Sequence, residues 1–220
     1  MKNPKELIAQ FLVRIGISAN FLTALGLFFA FLSGALICLG SFFWAGVILL
    51  LSGLCDLLDG AVARASGKAG VFGGILDSSL DRYGDGFVLA PLIACAAYYH
   101  KPLLSALASS ALLGSFAVSY VRARVECEID SCRVGFWERG ERLVYLALGL
   151  LLGNIFAVLL VLGVGIHWTV FQRLAYSYRV AQNGGQIPAD SKPYPSRRSK
   201  VYALKITALI LIVLFLRLPW

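Results

Sequence analysis

Five aspartates lie close together in an otherwise apolar part of the chain, and their types and spacing suggest metal chemistry. Asp56 and Asp59 are three residues apart, so they share one face of a helix, and Asp77, Asp81 and Asp85 follow at intervals of four along a second helix. Carboxylates this close cannot all stay charged unless cations neutralise them. Several hard oxygen ligands suit Mg²⁺ or Mn²⁺ better than Zn²⁺, so the segment predicts a divalent-cation site.

The composition indicates that this acidic segment belongs to a membrane protein. Hydrophobic residues make up 59% of the 220 residues and charged residues only 15%, and the mean hydropathy is +0.77, outside the range of ordinary soluble domains. Several apolar runs approach the roughly 20 residues that a helix needs to cross a bilayer. The predicted fold is an all-α polytopic membrane protein with a six-helix transmembrane bundle, whose spans are Phe21–Leu39, Phe42–Leu58, Phe72–Tyr99, Pro102–Val121, Phe136–Leu152 and Ile155–Phe171.

The flanking segments complete the predicted domain organisation. Residues 1–18 combine an apolar helical face with basic side chains, which is typical of a juxtamembrane amphipathic helix on the membrane surface and equally of a helix packed on the bundle. Residues 19–180 form the six-span domain, and residues 181–200, rich in Pro, Gly and Ser, form a basic cytoplasmic linker. Residues 201–220 contain the apolar run Val201–Leu216, which predicts an additional C-terminal span.

The basic residues predict how the bundle is oriented. If the N-terminus is cytoplasmic, all of the 20 Lys and Arg residues except Lys101, Lys205 and Arg217 fall at cytoplasmic helix ends or loops. The positive-inside rule therefore predicts a cytoplasmic N-terminus and active site, in the plasma membrane if the source is prokaryotic. The net charge of +8 suits an anionic leaflet of membrane lipids and an anionic substrate, so it requires no nucleic acid as partner.

Helix lengths predict that the aspartates lie at membrane depth. The uncharged runs beside them, Phe42–Cys55 and Phe87–Tyr99, are too short to cross a hydrocarbon core of about 30 Å at about 1.5 Å per residue. Each helix must therefore complete its crossing with turns that carry aspartate, and ionisable groups there normally mark a functional site inside the bundle. The alternative, loop carboxylates paired with Arg64, Lys68 and Arg82, leaves the short runs unexplained.

Eight positions of the acidic segment resemble the complete signature of the CDP-alcohol phosphatidyltransferases: Asp56-x2-Asp59-Gly60-x2-Ala63-Arg64-x8-Gly73-x3-Asp77-x3-Asp81. The resemblance implies an integral-membrane enzyme that displaces CMP from a CDP-linked lipid with an alcohol acceptor and forms a phosphodiester. It also implies a homodimer and two divalent cations, Mg²⁺ or Mn²⁺. A divalent-cation transporter is the alternative from another class, and the apolar outer halves of the spans disfavour it.

The resemblance also implies roles for particular residues. Asp81 is the implied catalytic base, and the implied metal ligands are Asp56, Asp59, Asp77 and Asp81. Asp85 lies outside the signature and either orients a ligand or pairs with Arg82. A looser match over Ser18–Thr23 adds Asn20 and Thr23 to the implied contacts of the CDP-linked lipid, although on the sequence alone Asn20 suits a helix N-cap. The motif supplies the other implied lipid contacts, which are Gly60, Ala63, Arg64 and Gly73.

Arginines at the cytoplasmic ends of the later spans suit a phosphorylated acceptor, because guanidinium groups hold phosphate through forked, charge-assisted hydrogen bonds. Taken singly, each could instead anchor a helix to lipid headgroups. Residues 119–126 and 138–142 resemble the branch of the family that uses inositol phosphate. Glycerol 3-phosphate carries the same group, so phosphatidylglycerophosphate synthesis is the nearest alternative. The implied acceptor-phosphate residues are Ser119, Arg122, Arg139, Arg142 and Arg173.

Overall fold

The computed structural model describes residues 4–129, 131–132, 134–183, 207–210 and 213, and within these residues all regular secondary structure is helical. This confirms the predicted all-α fold. The rest of the predicted linker and of the predicted C-terminal span lies outside the described residues. Between residues 4 and 183 the helices are α1 (Pro4–Arg14), α2 (Ala19–Cys38), α3 (Phe42–Ala65), α4 (Val71–Tyr98), α5 (Pro102–Val125), α6 (Arg139–Leu152) and α7 (Ile155–Gln182).

Four of these helices, α2, α3, α5 and α7, are long and apolar enough to cross a membrane, as expected of an integral membrane protein. Helix α4 has 28 residues, but its first half carries two of the motif aspartates, Asp77 and Asp81. Helix α6 has only 14 residues, or about 21 Å at about 1.5 Å per residue, which is less than the hydrocarbon core. The count of six spans therefore stays a prediction.

Several helices continue past the apolar runs from which they were predicted. Helix α3 ends at Ala65 rather than Leu58, α5 at Val125 rather than Val121, and α7 at Gln182 rather than Phe171. Helix α6, in contrast, begins at Arg139, later than Phe136. The extensions carry polar residues at the predicted cytoplasmic ends, which hydropathy alone does not assign to a helix.

The first turn of α2 corrects the prediction that Asn20 is its N-cap. Ser18 holds that position, with an extended backbone and a hydroxyl that accepts a hydrogen bond from the Phe21 N–H at 3.2 Å. Asn20 lies within the first turn and is exposed. Ser18 caps the helix because it directly precedes the first helical residue, Ala19, and a side-chain oxygen there can reach the N–H three residues further on.

Two buried serines join α2 to α3 and thereby set the rotation of α3. The Ser33 hydroxyl donates to the Ala45 carbonyl at 2.8 Å, and the Ser52 hydroxyl donates to the Gly26 carbonyl at 2.7 Å. Hydrogen bonds between side chain and backbone are effective contacts between apolar helices because each hydroxyl is satisfied away from water. Ser52 lies one turn before Asp56, so the motif face of α3 is directed toward α2.

Small residues bring α5 close to α7. The spacing of Ala106, Ser110 and Gly114 predicts such a contact. The Ser110 hydroxyl donates to the Gly163 carbonyl at 3.0 Å, and a Cβ added at Gly114 would lie 2.8 Å from Ile166 Cγ2. Ala106 is exposed. The contact therefore involves only the later two of the three predicted positions.

Helix α1 has one packed face and one exposed face. Ala9 is 1% exposed and clusters with Leu22 of α2 and Val62 of α3. The predicted apolar face stays largely uncovered, apart from partly buried Leu12. Each of the two interpretations therefore describes one face of this helix. The packed face contacts the bundle, and the exposed face carries apolar side chains that suit a membrane surface: Leu7, Ile8, Phe11 and Ile15.

The described residues of the predicted C-terminal span contact the bundle. Residues 207–210 and Val213 are helical. Leu209 packs against the main core, and Val213 is 1% exposed. The Asn154 side-chain amide, between α6 and α7, donates to the Val213 carbonyl at 2.7 Å. These contacts hold the described part of the segment beside α6 and α7.

We expect Gly34→Ala to destabilise the contact between α2 and α4, because the added Cβ would lie 2.0 Å from the Phe87 carbonyl oxygen. Overpacking of this kind costs about 1–3 kcal/mol. Gly86→Ala is the matched control, since it is also inside a helix and its Cβ would meet nothing within 4 Å. Thermal unfolding in detergent should give a lower Tm for Gly34→Ala and an equal or higher Tm for Gly86→Ala. Equal Tm values for the two variants would contradict this packing.

Candidate active site

Three motif carboxylates meet between α3 and α4. Asp56 and Asp59 come from adjacent turns of α3, Asp77 comes from the second turn of α4, and each offers one oxygen atom within 4.8 Å of the others. The spacing of three residues places both α3 carboxylates on one face of that helix, and Asp77 of α4 lies beside that face. Such a set of carboxylate oxygens has the chemistry of a site for a hard divalent cation.

Neighbouring groups hold Asp59 in place. Asp59 is 5% exposed, and the hydroxyl of Thr23 on α2 donates a hydrogen bond to Asp59 Oδ2 at 3.0 Å. The backbone N–H of Gly60 donates to the other carboxylate oxygen. Thr23, which the sequence assigns to lipid binding, therefore orients a predicted metal ligand in this structure.

One oxygen of Asp77 has the environment of a metal ligand. Asp77 Oδ1 is buried and has no hydrogen-bond partner within the part of the chain that the structure describes. A buried oxygen without a partner costs free energy, and the cost is larger when the group is charged. A divalent cation held with Asp56 and Asp59 would satisfy this oxygen, so the residues present fit the metal that the signature implies.

Asp81 lies one turn beyond Asp77 and contacts arginines. Arg139 Nη1 is 2.8 Å from Asp81 Oδ1 and also forms an ion pair with Asp56, while Arg82 Nη1 is 3.7 Å from Asp81 Oδ2. The sequence assigns Arg139 only to the acceptor pocket. The sequence does not predict its contact with the motif carboxylates, because Arg139 is the first residue of α6 and is distant in the chain from α3 and α4. A small cavity of about 10 Å³ between these groups is lined by Thr23, Asp56, Asp59, Asp77, Asp81 and Arg139.

Asp85 pairs with Arg142 rather than with Arg82. Arg142 Nη2 is 2.9 Å from Asp85 Oδ2, and Arg142 Nη1 donates to the Trp137 carbonyl at 3.1 Å. The predicted alternative of an Asp85–Arg82 pair is therefore wrong in its partner. The pair joins α4 to α6 one turn beyond the motif, where it neutralises a buried guanidinium.

The residues predicted to contact the CDP-linked lipid lie around the turn between α3 and α4 and at the start of α2. Gly60 adjoins Asp59, and Arg64 and Asn20 are exposed. A Cβ added at Gly73 would meet nothing within 4 Å, so space is open there. Ala63 is half-buried. Thr23 and Gly60 contact the carboxylate cluster directly, whereas no hydrogen bond to it is described for the other four.

A cavity of about 910 Å³ brings together all five residues predicted to hold the acceptor phosphate. Asp81 lines the same cavity, so a bound phosphate would lie beside a motif carboxylate. Arg82, Glu126 and Glu138 also line it, and sequence reasoning missed their place there. Glu138 directly precedes Arg139, one of the predicted arginines, which is the signal that could have included it. The predicted residues in the lining are Ser119, Arg122, Arg139, Arg142 and Arg173.

The arginines of this cavity differ in how firmly the protein holds them. Arg173 is 2% exposed, with hydrogen bonds from its guanidinium to the carbonyls of Val118 and, at 3.0 Å, Val134. Arg122 is more exposed and pairs with Glu126 at 3.0 Å. Arg173 therefore stabilises the wall of the cavity and also contributes positive charge to it. Arg122 can move toward a ligand at little structural cost.

Comparisons with known proteins show which proteins this chain is similar to. Residues 16–172 match the family model described as CDP-alcohol phosphatidyltransferase. The archaetidylinositol phosphate synthase of Methanothermobacter thermautotrophicus is 37% identical over 172 residues, which are 76% of this chain and 86% of that protein. A crystal structure of Mycobacterium tuberculosis phosphatidylinositol phosphate synthase with CDP-DAG bound has a TM-score of 0.71 at 29% identity, covering 80% of this chain and 94% of the other. The same protein in complex with manganese and citrate has a TM-score of 0.64 at 27% identity, with coverages of 87% and 93%.

We expect Asp59→Asn to weaken binding of Mn²⁺ by at least about tenfold, because it removes one charged ligand from the three-carboxylate cluster. Asp85→Asn is the control, since its carboxylate lies on α4 but pairs with Arg142 outside the cluster. Isothermal titration of the purified protein with Mn²⁺ measures both, after thermal unfolding has established that each variant is folded. Equal affinities in the two folded variants would contradict a cation site at Asp59.

We also expect Arg139→Gln to strengthen binding of Mn²⁺ in the absence of substrates. The guanidinium competes for Asp56 and Asp81, and its removal leaves these carboxylates with more uncompensated charge. The matched control is Arg142→Gln, whose ion pair is with Asp85 and which should leave the affinity nearly unchanged. An affinity for Mn²⁺ that falls in Arg139→Gln would contradict the competition.

Proposed function

Because the chain belongs to the CDP-alcohol phosphatidyltransferase family, we propose that it transfers a phosphatidyl-type group from a CDP-linked lipid to inositol phosphate and releases CMP. It is an enzyme of this class, and the proposal concerns its substrates and the roles of its residues. The observation that carries the proposal is the cavity of about 910 Å³, in which Asp81 and five arginines line the same space.

The names and ligands of the similar proteins support both substrates. One relative is named as an archaetidylinositol phosphate synthase, and the solved structure of a phosphatidylinositol phosphate synthase has CDP-DAG bound. An acceptor that carries a phosphate group matches a cavity with several guanidinium groups. Glycerol 3-phosphate, the predicted alternative, would meet the same charges, so only the shape of the polyol distinguishes the two acceptors.

The motif carboxylates would hold the diphosphate of the donor through metal. Asp56, Asp59 and Asp77 form the cluster that fits a divalent cation, and the manganese complex of a similar structure supports that class of ion. We propose that Asp81 completes a site for two such ions, Mg²⁺ or Mn²⁺. When bound, two cations would neutralise the phosphate oxygens and align the attacking and leaving oxygens.

Asp81 has the position of a catalytic base. It lines both the acceptor cavity and the small cavity of the carboxylate cluster. A proton from the acceptor hydroxyl would pass to a carboxylate oxygen of Asp81 as that hydroxyl attacks the lipid-side phosphorus and CMP leaves. Arg139, which contacts Asp81 in this structure, would orient the carboxylate or turn to the acceptor phosphate. Positioning and charge neutralisation of this kind are most of what phosphoryl transfer requires from a protein.

We propose that the bundle carries this chemistry at the cytoplasmic face of the membrane. In this arrangement residues 19–180 cross the membrane six times and α1 lies at its surface. Residues 181–200 link that domain to an additional C-terminal span, and two copies form a homodimer. The basic helix ends support the orientation, which in a prokaryote would place the protein in the plasma membrane. The apolar outer halves of the spans count against a transporter, since an ion pathway needs polar groups along its length.

An assay with purified protein, a CDP-linked lipid and Mn²⁺ tests the proposed reaction. The acceptors are inositol phosphate, glycerol 3-phosphate and unphosphorylated inositol, and the measurement is release of CMP. We expect release with inositol phosphate and little with the other two. Faster release with glycerol 3-phosphate would instead support phosphatidylglycerophosphate synthesis, and release with free inositol would contradict the role of the arginines.

We expect Arg122→Gln to raise the KM for inositol phosphate by about tenfold and to leave the KM for the donor within about twofold, since a charge-assisted hydrogen bond contributes about 1.5–3 kcal/mol. Arg124→Gln is the matched control, because Arg124 lies on the same helix, pairs with Glu128 and does not line the cavity. Arg122→Lys should recover part of the loss. Equal effects of the Arg122 and Arg124 substitutions on the acceptor KM would contradict the pocket.

A further inference from the structure

Two cysteines meet where α2 and α4 end. Cys38 is the last residue of α2, and Cys95 lies in the last turn of α4. The Cys95 thiol donates a hydrogen bond to the Ile37 carbonyl at 3.7 Å, and the two thiols also contact each other through a hydrogen bond. Both are free thiols in this structure. The two sulfur atoms are therefore neighbours, although the whole of α3 lies between them in the chain.

The packing of α2 on α4 explains why these two residues meet. At Gly34, one turn before Cys38, an added Cβ would lie 2.0 Å from the Phe87 carbonyl oxygen. The same Cβ would lie 3.2 Å from Cγ of Pro91, which is one turn before Cys95. The contacts between the two helices thus continue along facing sides at intervals of four residues. A disulfide joins only residues whose backbones already lie close together, and this packing holds the two helices together directly before the pair.

The pair lies at the end of the bundle opposite the carboxylate cluster. Cys38 is exposed, and Cys95 lines a cavity of about 380 Å³ that extends to Gly40 and Lys101 in the adjoining loops. A reagent in water can therefore reach the pair from the loop side. In the proposed orientation this end of the bundle faces away from the cytoplasm, where disulfides form and persist.

We propose that Cys38 and Cys95 are oxidised to a disulfide that joins the outer ends of α2 and α4. The inference uses the proposed orientation but not the proposed substrates. The exposed Cys38 thiolate attacks the disulfide of an oxidant, which is a thiol oxidase or a small organic disulfide, and forms a mixed disulfide. The Cys95 thiolate then attacks the Cys38 sulfur, and the oxidant leaves with both of its sulfurs reduced. The pair loses two protons and two electrons, and the oxidant gains them.

The bond closes a loop of the chain that contains all of the motif aspartates. A cross-link stabilises a fold mainly by restricting the unfolded chain, and a long loop increases the effect. It also prevents α2 and α4 from separating at the end that is distant from the cluster. We therefore expect the oxidised protein to have a Tm that is higher by roughly 5–10 °C than that of the reduced protein.

Controlled oxidation of the purified protein tests the proposal. The protein is reduced in detergent and treated with oxidised glutathione, and its remaining thiols are alkylated before peptides are mapped by mass spectrometry. We expect a linked pair of peptides that contains Cys38 and Cys95, together with the rise in Tm. Cys38→Ser and Cys95→Ser should each abolish both results. Cys127→Ser is the matched control and should retain both, because Cys127 is also exposed but follows α5 at the opposite end of the bundle.

The proposal is overturned if Cys38 and Cys95 are both alkylated as free thiols after this oxidation and the Tm equals that of the reduced protein. Labelling of intact cells tests the orientation separately, since a maleimide that cannot cross the membrane should label Cys38 only after reduction. A pair that joins in the purified protein but is labelled only from the cytoplasmic side would support the disulfide site and refute the proposed orientation. These measurements do not depend on release of CMP, so failure of the proposed transfer reaction would leave their results unchanged.

Discussion

Neutralisation of carboxylates within an apolar helix bundle is the interaction on which the rest of this structure depends. Removing an ion from water costs several kcal/mol even after the protein has relaxed. Asp56 and Asp81 contact Arg139, and Asp85 contacts Arg142. Asp77 retains a buried oxygen without a described partner. The bundle therefore combines acidic residues on α3 and α4 with basic residues on α6, and a divalent cation would complete the compensation.

The surrounding helices keep this arrangement in one place. Ser52 ties α3 to α2 one turn from Asp56, and Thr23 of α2 holds Asp59. Gly34 lets α4 approach α2 closely. Because these contacts continue along the helices to the cluster, the aspartates are positioned by helices rather than by loops. A reaction that depends on the position of charges needs such a rigid support.

The sequence predicts the carboxylate cluster because two features of the chain point to it. Helical spacing places the aspartates on shared helix faces, and the short apolar runs predict that they lie at membrane depth. It also predicts four of the five arginines that share a cavity with Asp81. It does not predict which groups hold each arginine in place. The backbone contacts of Arg173 and the ion pairs of Arg139 with motif carboxylates join residues that are far apart in the chain. The N-cap at Ser18 and the start of α6 at Arg139 depend on local geometry. Hydropathy does not locate the end of a helix to within one or a few residues. The contact of Leu209 with the main core arises from tertiary packing alone.

Locating Mn²⁺ by anomalous diffraction, in crystals grown with a CDP-linked lipid, tests the central role of the carboxylates most directly. The expected result is two manganese peaks about 3.5–4 Å apart among the oxygens of Asp56, Asp59, Asp77 and Asp81, with Arg139 moved away from Asp56. Manganese bound elsewhere, with the Arg139 ion pairs intact and the lipid diphosphate held by side chains alone, would contradict a site built on metal-neutralised aspartates.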